Sequence, residues 1–359
     1  MINNTIVYGN KNFPIDVNLN GNTSVEISKK TYDNIITSFE ESLKITPIFE
    51  DFYNVQKFSW ANDKLFLSTD GDSQTTSNYV SDDGLHWKAL NIYDSYQSYF
   101  SDVYYHQNLG LYIQMKNINI SGTAQILSSE DGITWEKDDL RISSPAAFAV
   151  NNNGNACVFS TNNKIYYTTG DPRNSDTWRQ SKSTDVTALD LIFPVPEKIK
   201  TFIATKASTV YYTVSGGIYF SDATIDSSAN PQGSIIKGFA CGDSGILIIV
   251  FQNGILYAKN NSYSGTWKYT SFGSNRIQDA FYANGMVVVL TNESQSNIYY
   301  CKTDNNFGTF TKYNNLGEHR TPNHGIGFFD KFIFWNPSNG PYIYSIPWGE
   351  VVKVTYKEK

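Results

Sequence analysis

Charge and cysteine are scarce in this sequence. Of its 359 residues, 17% are charged, whereas average soluble domains carry about 25%. The net charge is −6, and the five arginines lie far apart without forming a basic stripe. Because a nucleic-acid-binding protein needs clustered basic residues to neutralise phosphates, that class is excluded. Cys157, Cys241 and Cys301 are too widely spaced for a disulfide framework or a zinc site.

Long hydrophobic runs and targeting signals are also lacking. The longest apolar stretches, at 245–251 and 286–290, fall short of the roughly 20 residues that a membrane helix needs, so we expect no membrane insertion. The N-terminus has no basic region followed by an apolar core, and no signal peptide is predicted. No metal-binding, phosphate-binding or dinucleotide-binding motif occurs, so neither a metal site nor a cofactor is predicted.

An internal repeat is the main positive signal. The pattern S-x-D-G-x-x-W occurs at residues 81–87 and again, 48 residues later, at 129–135. Weaker copies end at Trp178, Trp267 and Phe310, which fits a period of about 44 residues. Further copies without the full motif are expected near residues 220 and 350.

A second pattern keeps step with the first, roughly 25 to 30 residues earlier in each unit. It consists of an apolar run, an Asn/Asp/Gly turn and a second apolar run, which predicts a hairpin. Each unit therefore contains strand A, a tight turn, strand B, a polar loop, strand C, the Asp-Gly turn and strand D. Four strands repeated about every 44 residues are typical of a β-propeller blade.

The predicted fold is an all-β propeller of four-stranded blades with a short N-terminal α+β segment. Units begin near residues 54, 101, 146, 187, 236, 277 and 323, which predicts seven blades. Six blades are the alternative if the divergent fourth unit, which has residues 194–200 in place of the tight turn, is a long insertion.

The predicted domains are an N-terminal docking or closing segment at 1–50 and the propeller at 51–359. In the first segment, residues 5–8 and 15–19 predict short strands, and apolar residues on one face of 28–43 predict a helix. The last strand of the chain, at 351–356, would be the outer strand of the last blade. Ring closure would then depend on packing between blades, or residues 5–8 would supply a closing strand.

The seven-residue repeat resembles the Asp-box, or BNR-like, repeat that sialidases and many other propellers carry at the turn between the third and fourth strands of a blade. Its aspartates can accept hydrogen bonds from backbone N–H groups, its glycines permit positive φ, and its tryptophans can bury a ring between sheets. We therefore expect structural roles for Ser81, Asp83, Gly84, Trp87, Ser129, Asp131, Gly132 and Trp135.

The resemblance also raises the question of enzymatic activity. Sialidases resemble one another in holding the substrate carboxylate with three arginines, the first in an Arg-Ile-Pro-type motif near the start. Here no arginine precedes Arg141 and that motif is absent, so sialidase activity is disfavoured. Other glycosidases need two carboxylates about 5 to 10 Å apart, and a glycan-cleaving hydrolase stays open as the alternative function.

Candidate ligand-binding residues are predicted on one end of the ring. Strands A and C run opposite to B and D, so the B–C loops and D–A connections share a face, opposite the Asp-Gly turns. These loops mix amides and hydroxyls with tyrosine rings, a combination that suits carbohydrate. The candidates are Asp70, Asp72, Gln74, Tyr93, Tyr96, Tyr99, Asn117, His319, Arg320 and His324. The long connection at 222–232 belongs to the same predicted face, and loops of this length are often functional.

The whole chain resembles the propeller-bearing tail, baseplate and receptor-binding proteins of bacteriophages, through its short Asp-boxes, its Asn/Tyr/Ser-rich strands, its low charge and its short non-repeat N-terminus. The resemblance implies a non-enzymatic virion tail component, made in the host cytoplasm, that binds a host cell-surface polysaccharide or another tail protein. Residues 1–50 would contact other virion tail proteins, and a homo-oligomer is a further option. A cellular scaffold propeller is a third hypothesis.

Overall fold

A computed structural model describes residues 55–344 with short gaps, together with residues 5–8, 11–14 and 46–47. The gaps lie at 70–77, 85, 91, 93–97, 119–122, 144, 154, 162, 242–243, 284, 294–296, 304–306, 314–322, 329–330 and 337–339. The strands predicted at 15–19 and 351–356 and the helix predicted at 28–43 lie outside the described residues.

Three short strands come from the N-terminal segment: β1 (Thr5–Tyr8), β2 (Lys11–Pro14) and β3 (Thr46–Pro47). Blade 1 contains β4 (Val55–Ala61), β5 (Lys64–Thr69), β6 (Asn78–Ser81) and β7 (Lys88–Ala89). Blade 2 contains β8 (Ser98–Phe100), β9 (Tyr104–His106), β10 (Leu111–Ile118), β11 (Thr123–Ser129) and β12 (Glu136–Ser143). Blade 3 contains β13 (Pro145–Asn151), β14 (Ala156–Thr161), β15 (Ile165–Thr168) and β16 (Arg179–Gln180).

Blade 4 contains β17 (Leu191–Pro194), β18 (Phe202–Lys206), β19 (Thr209–Thr213) and β20 (Ser221–Asp222). Blade 5 contains β21 (Thr224–Ile225), β22 (Ile235–Cys241), β23 (Ile246–Phe251), β24 (Gly254–Ala258) and β25 (Thr266–Ser271). Blade 6 contains β26 (Ile277–Ala283), β27 (Met286–Thr291), β28 (Ile298–Lys302) and β29 (Thr311–Tyr313). Blade 7 contains β30 (His324–Phe328), β31 (Lys331–Asn336), β32 (Gly340–Tyr344) and β3. A single-turn 3-10 helix, Ser175–Thr177, precedes β16.

The sheets form a ring. Within each blade the strands pair antiparallel in chain order, with three exceptions. The strands β3 and β21 join from outside their own unit, and β8 and β9 both pair with β10. The first strands of neighbouring blades contact one another from β4 through β9, β13, β17, β22, β26 and β30, and β30 contacts β4 again. The described residues therefore contain seven such sheets around one axis, which confirms the predicted all-β propeller of four-stranded blades.

The second strand of each blade carries much of the core. Every residue of β23 and of β27 is buried, because each of these strands lies between the sheets of its neighbours. Such strands read in the sequence as continuous apolar runs without alternation. The first and second strands are joined by tight turns in which Asn62 (φ 56°) and Gly110 (φ 65°) adopt the left-handed conformation, which asparagine and glycine tolerate best.

The ring closes with a strand from the N-terminal segment. Thr46 pairs with Ile343, and Pro47 pairs with Tyr342, which makes β3 the outer strand of blade 7. Residues 5–8 pair instead with residues 11–14 in a separate hairpin, so they are not the closing strand. A paired partner covers an otherwise exposed sheet edge, and proline is tolerated on an edge strand because it lacks an N–H to donate.

The connection at 222–232 has a structural role in its first part. Thr224 and Ile225 form β21, which pairs parallel with Thr266 and Trp267 on the outer edge of blade 5. The N–H of Asp226 also donates to the Trp267 carbonyl at 2.9 Å. The connection therefore leaves blade 4 and adds a fifth strand to the next blade. Among the described residues, no helix is long and apolar enough to cross a membrane.

Candidate functional site

The ring has two distinct faces, and we name them by the chain segments that form them. The turn face carries the A–B turns, such as 62–63 and 107–110, and the C–D turns, such as 82–87 and 130–135. The loop face carries the B–C turns, such as 252–253, and the D–A connections, such as 272–276. This division follows from four antiparallel strands in order from the axis outward.

A central cavity of about 740 Å³ lies on the axis. It is lined by the first strands of all seven blades and by residues of the A–B turns, so it opens on the turn face, and we call that end the cavity mouth. Trp60, Tyr105 and Tyr282 contribute aromatic rings to the lining, and Asn62, Gln107 and Asn152 contribute amides. A second hollow of about 240 Å³ continues along the axis towards the loop face.

Exposed apolar side chains are concentrated on the turn face. Among the described residues, the large hydrophobic side chains with the highest exposure are Trp60, Leu109, Ile199, Val214 and Tyr219. Each of them lies in an A–B turn, in a C–D turn or, for Trp60, at the end of a first strand. Trp60 is 41% exposed, and its indole N–H donates to the Asn62 carbonyl at 3.0 Å, which fixes the ring at the edge of the cavity.

The described carboxylates at the axial hollows include Asp102, in the lining, and Asp279, behind it, and both are paired with lysines; Glu197 and Asp190 also line these hollows. Lys57 Nζ lies 2.9 Å from Asp102 Oδ1, and Lys237 Nζ lies 2.9 Å from Asp279 Oδ1. Asp102 occupies the irregular segment between β8 and β9, both of which pair with β10. The first strands of blades 1, 3, 5 and 6 have a register shift at the corresponding place, so the irregularity recurs around the ring.

Asp279 is held by several donors at once. Its Oδ1 also accepts the N–H of Ala280 at 2.8 Å, its Oδ2 accepts the N–H of Gly325 at 3.0 Å, and His324 Nδ1 lies 3.6 Å from Oδ2. Burial opposes ionisation of this carboxyl, but the Lys237 ammonium and the His324 ring hold its pKa well below the usual range. Burial likewise opposes the charge on Lys237, but Asp279 raises the pKa of that ammonium. The pair therefore stays ionised near neutral pH.

The two Asp-Gly turns contain the hydrogen bonds expected for their sequence. Asp83 Oδ1 accepts the N–H of His86 at 2.8 Å. Asp131 Oδ1 accepts the N–H groups of Ile133 and Thr134, both at 2.7 Å. These two N–H donors lower the pKa of Asp131 to about 2. Both carboxylates are therefore used within their own turns.

The predicted ligand-binding residues are only partly within the described structure. Asp70, Asp72, Gln74, Tyr93, Tyr96, His319 and Arg320 lie outside the described residues. Tyr99 in β8 and Asn117 in β10 are paired neighbours in the sheet of blade 2. His324 begins β30, next to Asp279 of blade 6. These residues stay candidate site residues.

The aromatic and amide residues at the cavity mouth were not predicted from the sequence. Trp60 lies in one of the predicted A–B hairpins, where its sequence pattern is that of an ordinary strand residue. The patterns at Asn62, Gln107 and Asn152 are those of ordinary turn residues. Their position in the repeat was the one available signal. Each of these residues belongs to an A–B hairpin, and the first strands of the blades surround the axis of a propeller. Using it would have required knowing which end of the channel is open.

No family model matches the chain, and no curated protein matches its sequence. Many solved structures are similar in fold. They include a GH74 enzyme from Niastella koreensis with a TM-score of 0.56 and 14% identity, covering 83% of this chain and 44% of that chain. The chain thus spans less than half of that enzyme.

Two further solved structures are similar over nearly their whole length. YCF48 bound to D1 peptide has a TM-score of 0.56 and 13% identity, covering 84% of this chain and 94% of that one. A catalytically inactive virginiamycin B lyase from Staphylococcus aureus with quinupristin has a TM-score of 0.60 and 11% identity, covering 84% and 98%. At such identities these similarities show the β-propeller fold and nothing finer.

Proposed function

We propose that this chain is a non-enzymatic, tail-associated bacteriophage protein that binds a host cell-surface polysaccharide through its turn face. The observation that carries the binding face is that the most exposed large apolar side chains of the described residues all lie on the turn face, with Trp60 at the edge of the axial cavity. Apolar exposure gathered on one face is typical of interaction surfaces, whereas single exposed residues spread over both faces need no explanation. The phage assignment is supported by the sequence resemblance alone.

The chemistry at the cavity mouth suits an uncharged sugar chain. The Trp60 ring provides a flat apolar surface at the edge of the cavity, and Asn62 and Gln107 place amides beside it. Binding pockets for small ligands combine apolar and aromatic walls with a few polar groups that fix orientation. Because the net charge is low for 359 residues, recognition through rings and amides fits this surface better than charge pairing.

The ion pairs that Asp102 and Asp279 form with lysines beside the axial cavity favour ligand binding over hydrolysis. A glycosidase needs one carboxyl group with a raised pKa to act as general acid. Asp279 has the opposite character, because Lys237 and His324 keep it ionised. Asp102 is engaged by Lys57 at 2.9 Å. Neither of these two carboxyl groups therefore suits the role of general acid, although Glu197 also lines the cavity. A glycan-cleaving hydrolase is the less favoured function, and a scaffold propeller of a cell is a further alternative.

Residues 1–50 are proposed to dock on other virion tail proteins. Thr46 and Pro47 pair with the last blade, so the end of this segment is held at the seam between blades 7 and 1. The proposal also includes binding of another tail protein, in place of a glycan, to the turn face. The solved YCF48 structure with a bound peptide illustrates that propellers of this fold class also bind polypeptides.

The test compares two variants with exposed aromatic rings on the same face. Trp60→Ala removes a ring from the cavity edge, whereas Tyr219→Ala removes an exposed ring that does not line the cavity. Cell-wall polysaccharide from candidate host bacteria is the probe, and binding is measured by calorimetry alongside release of reducing ends. We expect Trp60→Ala to weaken binding at least tenfold, which is about 1.4 kcal/mol, and Tyr219→Ala to leave it nearly unchanged.

The outcomes separate the alternatives. Release of reducing ends by the wild-type chain would contradict the non-enzymatic proposal and favour the hydrolase. Equal weakening by both variants would place the ligand away from the cavity. Absence of polysaccharide binding together with capture of purified tail proteins would make the chain a structural tail component.

A further inference from the structure

A third hollow, on the loop face and separate from the two on the axis, has a different chemistry from the cavity mouth. It has a volume of about 460 Å³ and lies where the first strands of blades 5, 6 and 7 begin. Its polar lining consists of Gln252, Arg276, Gln278, Asn292, Asn323 and His324. These side chains are a guanidinium, an imidazole and four amides, so every one of them can present an N–H donor.

The backbone at Arg276 is held from both sides. Asn292 Oδ1 accepts the N–H of Arg276 at 2.9 Å, and the N–H of Asn292 donates to the Arg276 carbonyl at 2.8 Å. The N–H of Ile277 donates to the Gln252 carbonyl at 2.6 Å. These bonds join the D–A connection between blades 5 and 6 to the B–C turns of the same two blades. The arginine is therefore presented from a fixed position.

The charge of Arg276 is not neutralised by the described part of the protein. No carboxylate lines the hollow, and the exposed guanidinium has no ion-pair partner among the described residues. The adjacent carboxylate, Asp279, is already bound by Lys237 at 2.9 Å and by two backbone N–H groups. By contrast, Arg173, in blade 3, is paired with Asp171 at 2.7 Å.

We propose that this hollow binds an anionic oxygen group, a carboxylate or a phosphate, carried on a polar ligand. Guanidinium presents two parallel N–H donors that match the oxygens of either group. The surrounding amides can add hydrogen bonds without adding a competing negative charge. In a chain of net charge −6, a cationic hollow without a carboxylate is a local reversal of the overall charge. The site lies on the opposite face from the cavity mouth and does not depend on it.

The experiment titrates the full chain with inorganic phosphate, with the methyl glycoside of glucuronic acid and with neutral methyl glucoside at constant ionic strength. Arg276→Gln removes the charge of the proposed site. Arg179→Gln is the matched control, because Arg179 is also exposed but donates to the carbonyls of Asp176 and Trp178 in blade 3. We expect anion binding that Arg276→Gln weakens at least tenfold and that Arg179→Gln leaves within twofold, and no binding of the neutral glucoside.

The results identify the class of anion and test whether Arg276 binds it. Tighter binding of phosphate points to a phosphate-bearing polymer, and tighter binding of the glucuronide points to an acidic polysaccharide. Equal binding by wild type and Arg276→Gln, equal binding of the neutral glucoside, or no binding of either anion overturns the site. If Arg276→Gln melts earlier than wild type, Gln278→Ala takes its place, with the same expected direction. Trp60→Ala should leave anion binding unchanged, so failure of this site and failure of the polysaccharide proposal are distinguishable.

Discussion

The two full copies of the Asp-Gly turn, at 81–87 in blade 1 and 129–135 in blade 2, have nearly the same local structure. In each, the serine Oγ accepts the glycine N–H, at 2.8 and 2.9 Å. In each, the tryptophan indole N–H donates to the glycine carbonyl, at 3.1 and 3.2 Å. The two glycines have φ values of 74° and 73°. The motif therefore determines the turn wherever it occurs.

The two tryptophans nevertheless differ in what surrounds them. Trp135 is 7% exposed and packs edge-on against Phe66 of the preceding blade, with ring centroids 5.9 Å apart. Trp87 is only partly buried, near Phe58 of its own blade, in a cluster that includes Ile333 of blade 7. It thus lies at the seam where the ring closes. The motif therefore determines the hydrogen bonds of the turn, and the neighbouring blade determines how much of the apolar surface of the indole is buried.

The largest expected effect is the difference between the two tryptophan substitutions. Trp135→Ala should lower the free energy of unfolding by about 3–5 kcal/mol, because it removes a buried ring between two sheets. Trp87→Ala should cost clearly less, because part of that ring is already in contact with water. Urea unfolding followed by circular dichroism measures both. Trp60→Ala, at an exposed ring, serves as control, and a cost for Trp87→Ala equal to that for Trp135→Ala would refute the role assigned to the neighbouring blade.

The blades could be predicted from the sequence because each carries its own hairpin and turn signals. The unit starts predicted near 146, 236, 277 and 323 lie within one residue of the starts of β13, β22, β26 and β30, at 145, 235, 277 and 324. The closing strand could not be predicted, because Thr46 and Pro47 are too few residues to give a pattern. Their partner is about 300 residues away in the chain, and such pairing follows from ring geometry, not from local propensity.

The candidate site was harder to predict than the fold. Polar loops rich in asparagine occur on both ends of the ring, so composition did not distinguish the turn face from the loop face. The pair of Lys237 and Asp279 joins two blades across 42 residues, and nothing in either local sequence indicates it. His324 was a candidate from its polar neighbours, and its place beside Asp279 and Arg276 becomes visible only when the first strands are arranged around the axis.

An intermediate effect is expected at the glycines of the two turns. Alanine at either position must adopt the left-handed conformation, which costs about 1–2 kcal/mol. At Gly132 a Cβ would also lie 2.8 Å from Lys64 Cδ and 3.3 Å from Phe66 Cζ of the preceding blade. Gly132→Ala should therefore lower the midpoint of urea unfolding, and Lys64→Ala in the same chain should restore part of that loss. If shortening Lys64 restores nothing, the contact with the preceding blade is not what makes the position costly.

The smallest effect concerns the acid sensitivity of the second turn. The N–H groups of Thr134 and Ile133 lower the pKa of Asp131 to about 2, below the unfolded value of about 3.9. The ionised carboxylate therefore stabilises the fold above pH of about 4, and this contribution is lost as the pH falls towards 2. We expect the difference in unfolding free energy between wild type and Asp131→Asn to shrink over that range, and Asp131 is exposed, so the change should be small.

Glu130→Gln removes one negative charge from the same turn and is the matched control, because the N–H groups of Ile133 and Thr134 donate to Asp131 and not to Glu130. Unfolding curves at several pH values, with the Asp131 carboxyl followed by NMR, measure both variants. A pH dependence shared by Asp131→Asn and Glu130→Gln would mean that general charge repulsion is responsible. A dependence seen with Asp131→Asn alone would assign it to the two N–H donors, which bind the carboxylate whether or not a neighbouring blade covers the tryptophan.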